Sequence, residues 1–536
     1  MTANDSATSW LPSAHAPAFD PAGIAELAHA IREPACLLRD PASGGYGLAL
    51  GGSVSAQTEG SWPLIGTLPP LYPEWLGDRS FNELHGTRFA YVAGAMANGI
   101  ASTQLVSALA KQRILAFFGA AGLSLPRVEA AVAQLQRELD PHNLPWGANL
   151  IHSPAEPALE EAVADLFLRR GVRCVEASAY LALTPAVVRY ACSGLSMNGD
   201  GQIRRKNWVF AKISRPEVAR HFLQPPPQAM LDELVSRGLL SSEEARLGAQ
   251  LPLAEDLTAE ADSGGHTDNR TLSALLPSIA ALRAEIIAER GYTRPIRLGA
   301  AGGLGTPAAV AAAFALGADF VQTGTVNQAC VESGLDTGGR ALLARAEMAD
   351  VIMAPAADMF EMGVEVQVLR RGTMFAPRAR KLYELYRAHA SLDAIPQSER
   401  ARLEKDILRE SVDQAWESTA TFWRDRDPAQ LARAEAEPKH RMALLFRAYL
   451  GLSSRWAIDG KPERLADYQI WCGPAMGAFN TWVQGSFLQP PEAREVVQVA
   501  RNLLEGAAVI TRAQQLRSYG LPIPASAFDY RPRPLG

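Results

Sequence analysis

The stretch EADSGGHTDNR, residues 260–270, sets His266 behind two glycines and ahead of polar residues, directly after an apolar run. A core histidine has packed neighbours. One in so flexible and polar a turn is presented to something, and imidazole is the side chain that hydrogen-bonds a carbonyl or moves a proton near neutral pH. The competing role is a loop histidine that holds its own turn through Asp262 or Asp268. Further along come two glycine-bearing turns, GAAGGLGTP and QTGTVNQ. Gly302 and Gly303 let backbone N–H groups approach an anion closely. A helix opening at Thr306-Pro307 offers its positive end to the same anion. The second turn adds Gln322, the amide of Gly324 and the hydroxyl of Thr325.

One such turn can be nothing more than a tight turn. Two, each closing an apolar run and separated by one helical segment, point to phosphate binding. No lysine follows Gly305 as in a P-loop, and GAAGGLG lacks the GxGxxG spacing of a dinucleotide fingerprint. A mononucleotide with one phosphate fits better, and flavin mononucleotide (FMN) is the common one.

These turns need a scaffold. From about 88 to 330 the chain alternates short apolar runs (RFAYVAGAM, RILAFFG, WGANLI, VRCVEAS, NWVFAKIS, LTAEA, PIRLGAA, DFVQTGT) with helical segments. That alternation predicts parallel strands covered on both faces. Eight units predict an α/β fold, a (β/α)8 TIM barrel, over an open doubly wound sheet. Phosphates bind such barrels at the loops after strands seven and eight, where the two glycine turns fall. His266 then stands at the end of strand six. The small residues of GAMANGIAS after strand one admit a flat ring, strand three aims the Asn149 amide at the same mouth, and strand five supplies Lys212. Lys212 either neutralises a reduced flavin or pairs with a carboxylate. The expected organisation is an N-terminal extension with a small β subdomain (1–87), the barrel (88–374) and an α-helical C-terminal domain (375–536). A helical insertion after strand five, about 223–255, is expected at the active end as a lid or partner-binding flap.

With 536 residues, two or three domains are expected. The net charge of -5 gives the whole molecule none of the basic excess that nucleic acid demands. The apolar stretch PAAVAAAFALGA falls short of the ~20 residues that span a bilayer. The opening MTANDSATSWLPSAHAPAFD has no basic region followed by an apolar core and reads as a loose tail. Cys36, Cys174, Cys192, Cys330 and Cys472 are scattered without CxxC spacing, which argues against a zinc site or disulfide framework and fits a cytoplasmic protein.

VAGAMANGIAS, WGANLI, EADSGGHTDNR and GAAGGLGTPAAVAAAFALGADFVQTGT together resemble the nitronate monooxygenase and FMN-dependent enoyl reductase superfamily of TIM barrels. APAADMFEMGVEVQVLRRGTMFAPRARKLYELYR and DYQIWCGPAMGAFNTWVQGSF resemble the PfaD family, trans-acting enoyl reductases of polyketide and polyunsaturated fatty acid synthases. The resemblance implies FMN held by backbone groups around Ala95 and Met96, by Asn149, and by phosphate contacts at Gly302, Gly303, Gly324 and Thr325. It implies hydride from NADPH passed through FMN to a 2-enoyl thioester on an acyl carrier protein, with His266 as proton donor or carbonyl partner. The runner-up is nitronate oxidation with His266 as base, and the third reading is a non-catalytic scaffold of a megasynthase. A homodimer is left open. The basic run LRRGTMFAPRARKLY, with Arg370, Arg371, Arg378, Arg380 and Lys381, is expected to form the docking patch for an acidic carrier protein.

Overall fold

Eight short parallel strands close on themselves: Tyr91–Ala93, Leu115–Phe118, Gly147–Ile151, Cys174–Ser178, Trp208–Ile213, Asp256–Glu260, Arg297–Ala301 and Val321–Thr323. The ring is sealed where Val321 and Thr323 of the last strand stand opposite Tyr91 and Ala93 of the first. Seven strands fall within the apolar runs, and the sixth begins one residue before its run, at Asp256. In this computed structural model, residues 8–13, 16–56, 58–154 and 156–536 are described. Among them, no helix is long and apolar enough to cross a membrane.

The amino-terminal end of the barrel is filled by aromatic rings. Phe117, Phe210 and Phe320 from three strands meet Phe81, which comes from the Arg79–His85 helix below strand one. Phe81 stacks on Phe320 at a centroid distance of 4.7 Å. The same helix sends His85 to Asp256 at the start of strand six. Asp256 accepts from His85 Nε2 at 3.0 Å and from Arg297 Nε and Nη2 at 2.6 and 3.1 Å. Burial alone would raise this carboxyl; His85 and Arg297 outweigh it and hold it at about 2. Charge at this end serves stability, because barrel chemistry sits at the opposite rim.

The N-terminal extension is a five-stranded antiparallel sheet, ordered Tyr46–Leu50, Ala35–Arg39, Trp62–Leu68, Thr8–Leu11, Ser53–Ala56. The opening of the chain is therefore not wholly a loose tail. Thr8–Leu11 pairs on both sides, and Trp10 is fully buried. Residues 1–7, 14 and 15 of that stretch lie outside the described residues.

The insertion after strand five is helical, with helices Gln228–Ser236 and Ser242–Gly248, but it is not a lid. The Pro216–Leu223 helix first runs back from the mouth to the amino-terminal end, and only then does the triple proline turn the chain. The two helices pack on the outer Pro185–Cys192 helix. None of residues 223–255 lines the cavity described below.

After strand eight the chain leaves the barrel as a hairpin, Val351–Pro355 with Glu365–Leu369. Hairpin residues Val366 and Val368 share a core with Phe375, Leu382, Leu403 and Tyr449. Met476, Phe479, Val499 and Leu503 instead join the barrel core, and the Val496–Ser518 helix runs along the Pro307–Ala315 helix. The helical region after 375 thus divides between two cores. The hairpin, which falls before the boundary at 375, packs with the helices beyond it.

Replacing Asp256 by Asn removes the buried carboxylate that pairs directly with the Arg297 guanidinium. The expected outcome is a loss of about 3–5 kcal/mol, read as a lower urea midpoint at pH 7. Because the folded carboxyl is depressed below 3.8, this contribution is present above that pH and fades as pH falls toward about 2.

Candidate active site

A cavity of about 1090 Å³ opens at the carboxyl-terminal end of the barrel strands, between the barrel and the helices of 408–456. All ten residues singled out from the sequence line it: Ala95, Met96, Asn149, Lys212, His266, Gly302, Gly303, Gln322, Gly324 and Thr325. Convergence follows from topology, since each residue lies on a strand of the ring or in the loop that follows it, and those loops share one rim.

Glu176 on strand four is the hub of the rim. Fully buried, it accepts from the Ala95 N–H at 3.1 Å and from Gln322 Nε2 at 2.6 Å. Gln322 is engaged at its other end too, where Oε1 accepts from Thr258 Oγ1 at 3.0 Å. Asn149 Nδ2 donates to the Glu176 carbonyl and to Ser178 Oγ, both at 3.0 Å. The Met96 carbonyl accepts from the Ala101 N–H at 3.1 Å. Several groups implied as flavin contacts thus also hold the rim together: the Ala95 N–H, the Met96 carbonyl, the Asn149 Nδ2 and the Gln322 amide have partners within the protein. Burial pushes the Glu176 carboxyl up, and nearby Lys212 counters it only in part. Lys212 pairs with Glu260 at 3.0 Å, the carboxylate role of its two expected ones. Burial lowers the Lys212 pKa, but Glu260 and Glu176 outweigh it and raise it overall.

The phosphate turns show room for a ligand. Gly302 and Gly303 have φ of +89° and +73°, the left-handed region that only glycine enters freely. A side chain at Gly302 would strike the Ala261 carbonyl carbon at 2.6 Å, whereas at Gly303 and Gly324 the space is open. Gln328, 2% exposed and lining the same cavity, has an Nε2 without a partner. An open cradle of glycine turns, a helix N-terminus and an orphaned donor fit an oxygen-rich phosphate such as that of FMN.

His266 does not hold its own turn. Asp262 accepts from Asn269 and Gln367, and Asp268 pairs with Arg215. His266 Nε2 instead donates to Asp358 Oδ2 at 3.0 Å, across the mouth from the barrel. Burial lowers the imidazole pKa, but Asp358, helped by Glu260, outweighs it and lifts it above 6.5. Asp358 is lowered: burial opposes the shift, and its bond to His266 drives it. Arg447 of the Pro438–Asp459 helix fixes this partner, since its Nε donates to the Ala357 carbonyl at 2.9 Å.

The chain is similar to known proteins in sequence and fold. A family model described as Nitronate monooxygenase matches residues 79–379. The chain belongs to the nitronate monooxygenase family. A second model, the inserted helical domain of an acyl-carrier-protein S-malonyltransferase, matches residues 389–468. One polyunsaturated fatty acid synthase subunit of Thraustochytrium sp. is 46% identical over 467 residues, 85% of this chain and 31% of the relative. The polyketide biosynthesis protein PksE of Bacillus subtilis is 42% identical over 446 residues, covering 83% and 58%. The crystal structure of the enoyl reductase domain of MlnA, from the macrolactin cluster of Bacillus amyloliquefaciens, is 36% identical with a TM-score of 0.79, covering 83% of this chain and 99% of that one. The chain therefore spans about a third of the fatty acid synthase subunit. Within the family it falls in the PfaD branch that its C-terminal stretches resemble.

Sequence reading missed Glu176, Glu260 and Asp358. Glu176 carried a signal: a carboxylate inside the buried-strand run VRCVEAS must be paired to stay there. Asp358 carried none, because its partner is 92 positions away. The residues of the basic run 370–381 have partners within the protein. Arg371 pairs with Glu347 and Asp350, Arg378 with Asp467, and Lys381 with Glu399. Arg370 lies 3.9 Å from Asp350, and Arg380 donates to the Met353 carbonyl. None of the five lines the cavity.

In an NMR titration, His266 is expected to titrate above the ordinary value of 6.5. Asp358→Asn should move it down, because burial then acts with less opposition. An unmoved titration would detach Asp358 from His266 in solution.

Proposed function

We propose that this chain is an FMN-dependent enoyl reductase. It acts in trans on 2-enoyl thioesters carried by acyl carrier proteins in polyketide or polyunsaturated fatty acid synthesis, with NADPH as hydride donor. The observation that carries this reading is one cavity holding both an open double glycine cradle and the His266–Asp358 pair. Support comes from the MlnA enoyl reductase domain, which shares the fold over 83% of this chain, and from relatives named as synthase subunits or polyketide proteins.

Bound FMN would supply a hydride relay from NADPH to the β-carbon of the enoyl thioester. The chain's residues do the rest. The amides of Gly302, Gly303 and Gly324, with the Thr325 hydroxyl, would hold the phosphate beside the positive end of the Pro307–Ala315 helix. Ala95, Met96 and Asn149 would wall the ring site, with the Lys212–Glu260 pair at its edge. With Nε2 committed to Asp358, Nδ1 of His266 is the nitrogen left for substrate. Protonated, it donates to the thioester carbonyl, where enolate charge develops, or delivers the proton to the α-carbon. The enoyl thioester gains one hydride and one proton, and NADPH leaves as NADP+.

Nitronate oxidation is the second reading, favoured by the family description over 79–379. It uses the same cradle with His266 as base. Two anaerobic assays separate the two: reoxidation of NADPH-bleached protein by an enoyl thioester supports the reductase, whereas bleaching of the oxidised protein by an alkyl nitronate supports nitronate oxidation.

Gly324→Leu places a side chain in open space at a negative φ and is expected to fold but to purify with less than about a tenth of the flavin, since the amide approach is blocked. Full flavin content would remove the cradle assignment. His266→Ala should keep flavin and NADPH bleaching while reoxidation by thioester slows by about two to four powers of ten. An unchanged rate would leave His266 with no part in the chemistry.

A further inference from the structure

The cavity, about 1090 Å³, stands at the upper end of the usual ligand-pocket range of roughly 300–1,000 Å³. Part of its wall comes from the helical region. On the Pro438–Asp459 helix, Leu445, Ala448 and Leu452 recur at one-face spacing, and all three line the cavity. On the Val412–Arg426 helix, Thr419 and Phe422 do the same. Across from them the loop after strand four contributes Leu181.

Leu181, Phe422 and Leu452 are 49%, 53% and 47% exposed. Single exposed apolar residues need no explanation, but three from separate elements on one cavity mark a binding surface. The arginines that these helices turn to the cavity are already paired. Arg426 grips Glu156 at 2.6 and 2.9 Å, Arg447 bonds Ala357 and Glu361, Arg455 meets Asp459 and Arg464 meets Asp467. The two helices therefore offer this arm apolar walls, and their own cavity-lining arginines, Arg426, Arg447 and Arg455, each have a partner within the protein.

We propose that this arm, bounded by Leu181, Phe422 and Leu452, is an acyl-chain subsite. It takes the aliphatic part of the thioester beyond the double bond, while the barrel rim takes the reacting carbons. The proposal rests on the enoyl reductase reading above. Its consequence is a preference for long chains set by the helical region rather than by the barrel.

The test uses the full-length flavin-loaded protein and two probes, crotonyl- and 2-decenoyl-N-acetylcysteamine. Unaltered protein is expected to favour decenoyl in kcat/KM. Leu452→Glu, at an exposed position, and Ala448→Trp, which fills the arm, should each lower the decenoyl-to-crotonyl ratio about ten-fold or more, the worth of lost apolar pocket contacts. A ratio that neither variant moves overturns the subsite. If neither thioester is turned over by the unaltered protein, the reductase reading falls separately and calorimetry decides the arm. Tighter binding of decenoyl than crotonyl, abolished by Leu452→Glu, sustains it; equal affinity for the two probes overturns it.

Discussion

A histidine on a glycine turn is useful only if something outside the turn holds it still. Here the main chain of two later segments does so. Gly265 and Gln367 exchange both backbone hydrogen bonds, at 3.0 and 2.8 Å, so the hairpin continues the turn as a short ladder. On the other side, chain meets chain: a Cβ at Gly264 would lie 2.8 Å from the Cys472 nitrogen, and one at Gly473 would lie 2.8 Å from the Gly264 nitrogen. Gln367 adds its side-chain amide to Asp262 at 2.8 Å and to the Ser263 carbonyl at 2.7 Å. The glycines of this turn therefore serve close packing as well as flexibility.

That clamp ties the helical region to the chemistry. The hairpin that pairs with Gly265 also carries Asp358 between its strands, and Arg447 anchors Asp358's neighbour from the Pro438–Asp459 helix. The carboxylate that raises the imidazole pKa thus belongs to the unit outside the barrel. Within the barrel, Glu176 performs the matching task. Its carboxylate gathers Ala95 from strand one and Gln322 from strand eight, joining the two ends of the ring beneath the glycine cradle. A fully buried acid is costly unless paired and hydrogen-bonded, and these bonds make it a fixed part of the rim.

The barrel was legible because strand and helix periods are local. Eight apolar runs separated by amphipathic segments are read within a few residues of each position, and all eight strands fall where those runs lie. The cradle was legible for the same reason: a left-handed φ at Gly302 and Gly303 is a property of the residue and its neighbours. Placement of the insertion was not legible. Nothing in QPPPQAMLDELV tells that the preceding helix has already carried the chain to the far end of the barrel. The pairing of the five cations of 370–381 was not legible either. Their count is visible in one stretch, while partners such as Asp467 and Glu399 come from other segments.

The sequence by itself determined the ring, the rim residues and the double glycine turn, since each depends on local periodicity or on the backbone freedom of one residue type. Tertiary structure alone decided which charges meet. It set Asp358 against His266, Glu260 against Lys212, and Glu176 beneath Ala95 and Gln322. It also decided that the final helices return to the barrel while those of 375–450 build a core of their own. The physical reason is common to both. Pairing of buried charge and burial of a helix face are satisfied by whatever the fold brings within a few ångströms, and no local pattern encodes that distance.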